Sequence, residues 1–346
     1  MTDSLTLTRP DDWHLHVRDG AALQTVVPHT ARAFGRAMIM PNLRPPITTV
    51  AEAATYRQHV LAAVPSERRF EPLMTLYLTD HTQPAEIAKA HESGIVHGVK
   101  LYPAGATTHS DSGVTNLESI YPVLEAMAFH DIPLLIHGEV TDSEVDVFDR
   151  ESLFIEQRLI PLRERFPTLR VVLEHVTTRQ GIEYITNAPG RIAATLTAHH
   201  LLYNRNALFQ GGIRPHYYCL PILKREEHRR ALLEAATSGN PRFFLGTDSA
   251  PHSRLGKEQS CGCAGIYTAH AALELYAEAF DQVDKLDRLE AFAAFHGADF
   301  YGLPRNSETV TLQRSSWPVP DSYPYPEGGL IPLRSGETMD WQLAEG

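Results

Sequence analysis

The sequence predicts an α/β protein with the (β/α)8 barrel fold and a short C-terminal extension. Short apolar runs recur eight times, and segments with helical periodicity lie between most of them. Most runs are continuous in valine, isoleucine and leucine, which is typical of strands covered on both faces. Eight strand-helix units favour one barrel. The strands are predicted at Asp12–Val17, Arg36–Met40, Leu73–Leu78, Val96–Leu101, Ile132–His137, Arg170–His175, Arg191–Thr197 and Phe243–Asp248.

Helices are predicted between and after these strands. The connection from the seventh to the eighth strand is long, roughly 45 residues, so a functional loop is expected there. Beyond Gly302 the composition shifts to proline, serine, threonine and glycine. We therefore expect a barrel over residues 1–302 and an irregular or β-type extension packed on it over residues 303–346. The predicted helices are Val50–Val64, Gln83–Ser93, Leu117–His130, Phe154–Phe166, Glu226–Ser238, Ile266–Phe280 and Lys285–Phe295.

Composition excludes several classes of function. The chain has 31 lysines and arginines against 42 aspartates and glutamates, a formal net charge of -11, which disfavours nucleic acid and anionic membrane surfaces as partners. It contains no apolar run long enough to span a bilayer and no pattern of a secretory signal. Three cysteines are too few for a disulfide framework. We expect a cytoplasmic protein.

The 18 histidines draw attention to the strand ends. Catalytic groups of this fold come from the C-terminal ends of the strands. Side chains with metal-binding or titratable groups stand at five of them: His14-Leu15-His16, Lys100, His137, His175 and Asp248. The period of 2 along a strand places both histidines of His-x-His on one face, where they can chelate one ion. A single strand histidine is more often a core residue, but four such strands together predict a metal centre.

Lys100 leaves two interpretations open, because an ammonium group has no lone pair for a cation. A buried lysine with a lowered pKa can react with carbon dioxide, and the carbamate could then bridge two ions. The alternative is an ion pair with a substrate or a carboxylate.

Several segments together resemble the amidohydrolase superfamily and, within it, the short, single-function bacterial dihydroorotases. The resemblance covers about residues 5–302. His-x-His alone indicates only the superfamily, whereas the other motifs select the subgroup. The motifs are Asp12-Trp13-His14-Leu15-His16-Val17-Arg18-Asp19-Gly20, Met40-Pro41-Asn42-Leu43, Lys100-Leu101-Tyr102-Pro103, Gly105-Ala106-Thr107-Thr108, His137-Gly138-Glu139, Glu174-His175, Arg214-Pro215-His216-Tyr217-Tyr218-Cys219-Leu220-Pro221, Gly246-Thr247-Asp248-Ser249-Ala250-Pro251-His252 and Cys261-Gly262-Cys263-Ala264-Gly265.

The resemblance implies a two-zinc site and favours the carbamate for Lys100. His14 and His16 would bind one ion, His137 and His175 the other, and N6-carboxylated Lys100 would bridge them. Asp248 would bind the first ion and carry the proton. A hydroxide between the ions would then interconvert dihydroorotate and N-carbamoyl-L-aspartate, a step of de novo pyrimidine biosynthesis. The implied enzyme is a homodimer whose only ligands besides metal are these small molecules.

Residues near the predicted mouth of the barrel supply candidates for substrate binding. The planar guanidinium of Arg18 suits a substrate carboxylate, and a surface ion pair is an equally good interpretation. Asn42 follows a proline and could be a turn residue instead of a substrate-binding one. The stretch 105–113 is expected to be a mobile lid. By resemblance, the substrate carboxylate is held by Arg18, Asn42 and His252, the ring is contacted by backbone groups of Leu220 and Ala264, and the lid contributes Thr107 and Thr108. The family usually has asparagine in place of His109.

Other features are assigned structural roles. Cys261 and Cys263 form a C-x-C pair without a partner pair, so a metal role is disfavoured. Cys219, His199 and His200 have no matched ligand role. Two competing functions remain: another cyclic amidase, such as a hydantoinase or allantoinase, and a non-catalytic scaffold. Arg18 and Asn42 argue against the first, since a hydantoin ring lacks a carboxylate, and the complete set of six ligand positions argues against the second.

Overall fold

A computed structural model describes residues 3–344, and its central feature is an eight-stranded parallel sheet that curls into a barrel. Strands β2 to β9 pair in sequential order. The predicted barrel is therefore confirmed, and all eight predicted strands are present, most with shorter bounds. The strands are β1 Ser4–Thr8, β2 Asp11–Leu15, β3 Arg36–Ile39, β4 Glu71–Leu78, β5 Val96–Leu101, β6 Leu134–Ile136, β7 Val171–Leu173, β8 Ile192–Leu196, β9 Phe243–Leu245, β10 Thr309–Pro318 and β11 Thr338–Leu343.

Helices surround the barrel. The sequence patterns missed α1, α7, α8, α10 and α12. The predicted helix Phe154–Phe166 is divided by a π-helical turn at Ile155–Leu159, and the predicted helix Lys285–Phe295 ends in another at Ala291–Phe295, directly before α12. No helix among residues 3–344 is long and apolar enough to cross a membrane. The helices are α1 Leu23–Ala33, α2 Val50–Ala62, α3 Pro84–Ser93, α4 Tyr121–Phe129, α5 Arg150–Phe154, α6 Ile160–Arg165, α7 Arg179–Asn187, α8 Ala198–Leu202, α9 Glu226–Thr237, α10 Arg254–Lys257, α11 Ala272–Asp281 and α12 His296–Tyr301.

The barrel interior changes from apolar to polar along each strand. Its lower layer includes Leu135, Val172 and Ala193, which belong to one buried apolar cluster with Trp13 and Phe244. Two residues further along three of these strands stand His137, Glu174 and Thr195, all buried. Because side chains two apart share a face, these polar groups point to the same interior. The period-2 pattern thus builds a polar layer on top of an apolar core.

Closure of the barrel brings the end of β9, the eighth barrel strand, beside β2, the first barrel strand. The backbone N–H of Asp248 donates to the carbonyl of His14 at 2.9 Å, and that of His16 donates to Ser249 at 3.1 Å. The register between β2 and β3 shifts between Asp12 and Leu15, which marks a bulge in the strand that carries the His-x-His pair. These contacts set the two histidines against Asp248.

A second, three-stranded antiparallel sheet joins the two ends of the chain. β10 pairs with β1 on one side and with β11 on the other. Leu7, Leu312 and Trp341 from these strands are buried in the main apolar cluster. The sequence patterns did not indicate β1, and the division of the chain at residue 302 stays a prediction.

Candidate metal centre and active site

The first group of side chains at the mouth of the barrel consists of His14, His16 and Asp248. His14 Nε2 lies 3.3 Å from His16 Nε2. Asp248 Oδ1 lies 3.4 Å from His14 Nε2 and 3.1 Å from His16 Nε2. All three side chains are buried. Two imidazole nitrogens and a carboxylate oxygen at this spacing match the ligands of one divalent transition metal ion.

The charge states of this group also suit a cation. Burial lowers the pKa of His14 well below its usual value, and burial lowers that of His16 as well. Burial alone would raise the pKa of Asp248, but its contact with His16 and the charges of the groups around it, Lys100 included, bring that pKa down to about 2. At neutral pH the group therefore presents neutral imidazoles and a carboxylate, the forms that bind metal.

The second group consists of Lys100, His137 and His175. The rings of His137 and His175 have centroids 4.8 Å apart, and His175 lies 5.0 Å from the ring of His14, so the two groups adjoin. Lys100 is fully buried, and its Nζ has no hydrogen-bond partner within residues 3–344. Burial lowers the pKa of Lys100 to about 8. A buried ammonium without acceptors is costly, whereas a carbamate would be neutralised by cations.

Three of the four candidate ligand histidines use one ring nitrogen to bind a neighbouring acceptor, whereas Nδ1 of His175 has no hydrogen-bond partner within residues 3–344. His14 Nδ1 donates to Glu174 Oε2 at 2.8 Å, and His137 Nε2 donates to Glu139 Oε2 at 2.8 Å. His16 Nδ1 donates to Asn42 Oδ1 at 2.7 Å. Such contacts fix the tautomer and the ring orientation of a metal ligand. The donor set therefore fits a metal centre.

Sequence reasoning assigned no role to Glu174 or Glu139, although both stood in the quoted motifs. Glu174 Oε2 also accepts from the Thr195 hydroxyl at 2.6 Å, and that hydroxyl accepts from the backbone N–H of His175 at 2.7 Å. One carboxylate thus connects a residue of each group. The period-2 face shared by Glu174 and Val172 could have placed Glu174 inside the barrel.

Two candidate ligands have unusual backbone geometry. The φ angles of His175 and Asp248 are 41° and 45°, and that of Arg18 is 60°. Non-glycine residues rarely adopt this left-handed region, and such strained positions are enriched at functional sites. The turns direct these three side chains into the mouth of the barrel.

Arg18 lies beside the metal-ligand groups, as predicted. Its Nε donates to the Pro251 carbonyl at 3.0 Å, and its Nη2 donates to His252 Nε2 at 2.9 Å. Burial holds the pKa of His252 well below its usual value, so the ring is a neutral acceptor. No carboxylate pairs with Arg18 among the ion pairs of the described residues. Its charge is available to an anion.

The lid folds over this pocket. The backbone N–H of Ala264 donates to Thr108 Oγ1 at 3.0 Å, and Asn42 Nδ2 approaches the Thr108 carbonyl at 3.5 Å. Asn42 thus contacts both His16 and the lid. Every predicted substrate-binding residue except His252 lines the pocket. The lining comprises His14, His16, Arg18, Asn42, Tyr102, Thr107, Thr108, His137, His175, Leu220, Asp248, Ala250, Ala264 and Gly265.

Comparison with known proteins places this site in a family. The chain matches the model of the amidohydrolase family over residues 11–315. A dihydroorotase of Nitrosococcus oceani is 65% identical over 345 residues, with 100% of both chains covered. The solved dihydroorotase of Campylobacter jejuni has a TM-score of 0.91 and 36% identity over 100% of this chain and 98% of that one. That of Saccharomyces cerevisiae, in complex with 5-fluoroorotic acid, has a TM-score of 0.91 and 32% identity, covering 99% of each.

The barrel and its polar mouth are thus those of an amidohydrolase, a family of metal-dependent hydrolases. The sequence identity to dihydroorotases over the full length and the agreement with their solved structures narrow the family further. The chain belongs to the dihydroorotase family.

Proposed function

We propose that this protein interconverts dihydroorotate and N-carbamoyl-L-aspartate by hydrolysis and closure of a cyclic amide, as a step of pyrimidine biosynthesis. The observation that carries the proposal is that one pocket is lined by five metal-ligand candidates, His14, His16, His137, His175 and Asp248, and by Arg18, which pairs with no carboxylate of residues 3–344. Full-length dihydroorotase relatives support it. A hydantoinase or allantoinase activity is not favoured, because Arg18 and His252 suit a carboxylate that those rings lack.

Two zinc ions would be held at this site. His14, His16 and Asp248 would bind the first ion, and His137 and His175 the second. N6-carboxylated Lys100 would lie between them, since carboxylation replaces a buried ammonium by two oxygen ligands. Support comes from the burial of Lys100 and from its lack of a hydrogen-bond partner among the described residues. When bound, the two ions would lower the pKa of a water between them and polarise the ring carbonyl.

Asp248 would manage the proton in both directions. Its carboxylate would accept a proton from the attacking water and deliver it to the ring nitrogen as the amide bond breaks. In ring closure the same oxygen would take the proton from the ureido nitrogen. Burial alone would favour the protonated acid, but the neighbouring groups, His16 foremost, lower the pKa of Asp248 to about 2 and keep it ionised until that transfer.

The substrate carboxylate would lie against Arg18, Asn42 and His252, with backbone groups of Leu220 and Ala264 on the ring. Thr107 and Thr108 would close over it from the lid, and the Ala264 N–H that now donates to Thr108 would turn to the substrate. The yeast relative was solved with 5-fluoroorotic acid, a ring that also carries a carboxylate. We expect the same compound to inhibit this chain.

The test is absorbance-monitored ring opening of dihydroorotate, run beside a hydantoin and a chelated sample. We expect turnover of dihydroorotate, none of hydantoin, and loss of activity on chelation with recovery on adding zinc. Turnover of hydantoin alone would refute the carboxylate site while keeping the metal chemistry. Absence of turnover on both, with zinc restored, would favour the scaffold alternative.

We also propose that the protein is a homodimer in the cytoplasm. The proposal rests on what the resemblance to the dihydroorotases implies. Light scattering after size exclusion should give twice the mass of one chain, and one-chain mass at micromolar concentration would contradict it.

A further inference from the structure

One buried lysine outside the metal centre binds backbone carbonyls only. Lys257 ends the short helix α10, and just 3% of its surface is exposed. Its Nζ donates to the carbonyls of Tyr218 at 2.7 Å, Cys263 at 2.9 Å and Gly265 at 2.6 Å. An ammonium has three N–H donors, so all of them are used. These bonds are charge-assisted and buried, which makes them stronger than ordinary ones.

The three carbonyls belong to the two segments that form one wall of the pocket. Tyr218 lies two residues before Leu220, and Cys263 and Gly265 flank Ala264. Leu220 and Ala264 line the pocket. The segments are far apart in sequence, and Lys257 is the side chain that bridges them.

The wall has little freedom to adjust. The N–H of Gly265 also donates to the Tyr218 carbonyl at 3.0 Å, and the N–H of Cys263 donates to Gly256 at 3.0 Å. Gly265 has a φ of 149°, and a Cβ there would lie 2.8 Å from Ala250 Cβ and from His252 Cδ2. The segment therefore packs directly against the histidine that accepts from Arg18.

We propose that Lys257 is a positioning residue for substrate binding: its ammonium holds the Tyr218–Leu220 and Cys263–Gly265 segments at the separation that the substrate ring requires. The inference rests on the proposed function, in which backbone groups of Leu220 and Ala264 contact the ring. Lys257 touches no reacting atom and no metal-ligand candidate. Removal of the Lys257 ammonium should therefore move this wall of the pocket without loss of bound metal.

The test compares Lys257→Met with a matched control, Lys224→Met. Methionine keeps the apolar stem and removes the three donors. Lys224 is also buried, and its Nζ donates to the Ile222 carbonyl at 3.1 Å, within one segment and with no hydrogen bond to residues 263–265. We expect Lys257→Met to raise the KM for dihydroorotate about ten- to a hundredfold, with a much smaller change in kcat and unchanged metal content. Lys224→Met should keep the wild-type KM.

A KM within twofold of wild type in folded Lys257→Met would overturn the inference, as would an equal rise in Lys224→Met. Loss of bound metal in Lys257→Met would also overturn it. If Lys257→Met does not fold, Lys257→Arg replaces it: the charge is kept, but the longer side chain with its planar donors does not reproduce three bonds from a single nitrogen, so the same rise in KM is expected. Wild-type turnover is measured in parallel. Its absence would refute the proposed function, whereas wild-type turnover with an unchanged KM in the variant would refute only the role of Lys257.

Discussion

The hydrogen-bond partner of one ring nitrogen determines the tautomer of three histidines at this site. His14, His16 and His137 each donate one N–H to a carboxylate or an amide oxygen, which leaves the other nitrogen with its lone pair for an ion. The neutral forms follow from burial, which lowers the pKa of His14 and His16. Metal affinity should therefore depend on residues that never touch the metal.

Glu174→Gln tests this dependence. An amide can still fill the space but is a weaker acceptor for the N–H of His14 and for the Thr195 hydroxyl. We expect zinc affinity to fall about ten- to a hundredfold, measured by competition with a chromogenic chelator. The exposed Glu144→Gln is the control. Equal zinc affinity in wild type and Glu174→Gln would contradict the proposed role.

Asp248→Asn removes the proposed proton carrier while nearly keeping its shape. We expect kcat to fall at least about a thousandfold, because an amide cannot take the proton. His14→Ala should also abolish activity, and both variants should retain a folded barrel by circular dichroism. Turnover like that of the wild type in either variant would refute the metal assignment.

The pKa of Lys100 predicts how the reactivation of the metal-free enzyme by zinc and carbon dioxide depends on pH. Only the neutral amine reacts with carbon dioxide, and burial lowers the pKa of Lys100 to about 8, so the reactive fraction falls about tenfold for each pH unit below that value. At constant dissolved carbon dioxide, recovery of activity with zinc should be faster at pH 8 than at pH 6. Burial keeps His14 and His175 neutral over this range, so they do not oppose the trend. A rate independent of pH would contradict it, and Lys100→Ala should not recover.

At the scale of elements, the strands supply a rigid base and the loops supply the adjustable parts. The polar side chains follow apolar ones on the inner faces of β6, β7 and β8, so their positions are fixed by the barrel core. The lid after β5 makes only a few contacts with the opposite wall, through Thr108. Fewer contacts make opening less costly.

Thr108→Val should therefore affect the closed lid and not the metal centre. Valine keeps the shape of threonine but loses the hydroxyl that accepts from Ala264 in this structure and that would contact the substrate when it is bound. We expect kcat/KM to fall roughly tenfold, with zinc content unchanged. Thr115→Val is the matched control, since its hydroxyl donates to Asp80 at 2.6 Å and lies outside the pocket lining. A similar loss in both variants would show that the Thr108 hydroxyl is not the cause.

At the scale of the whole molecule, both ends of the chain are needed for one small sheet. β1 and β11 lie on either side of β10, and the sheet buries Trp341 and Leu7 against the rest of the core. The C-terminal segment thus contributes to the stability of the barrel as well as covering it.

Trp341→Ala measures that contribution. Trp341 is fully buried, and we expect the free energy of unfolding to fall by about 3–5 kcal/mol. Urea denaturation is the measurement, and the neighbouring exposed Gln342→Ala is the control. An unchanged unfolding midpoint would show that the small sheet is independent of the barrel.

The fold class and the family were predictable from the sequence, and both predictions are confirmed. The period of 2 and the apolar runs are local properties, and eight such runs determine a barrel. The period of 2 predicted that His14 and His16 share one face of a strand. The ends of the predicted strands placed Lys100, His137, His175 and Asp248 at the same rim of the barrel. Their metal-binding roles, and the substrate-binding roles of Arg18 and its neighbours, stay predictions. The helices α8, α10 and α12 were missed because four to six residues hold too few turns for a periodic pattern. The helix α1 was missed although it is amphipathic, since Pro28 inside it reads as a helix breaker.

The sequence by itself determined which polar residues stand at the ends of the strands, because the position of a residue within its own strand follows from the local pattern. Only the tertiary structure decided the partners: Glu174 on His14, Asn42 on His16, and Lys257 across two pocket segments. It also decided that β1 pairs with β10, since both strands are amphipathic in isolation and only the assembled barrel provides the surface that buries Leu7. Contacts between residues far apart in the chain depend on how the barrel closes, which no local pattern encodes.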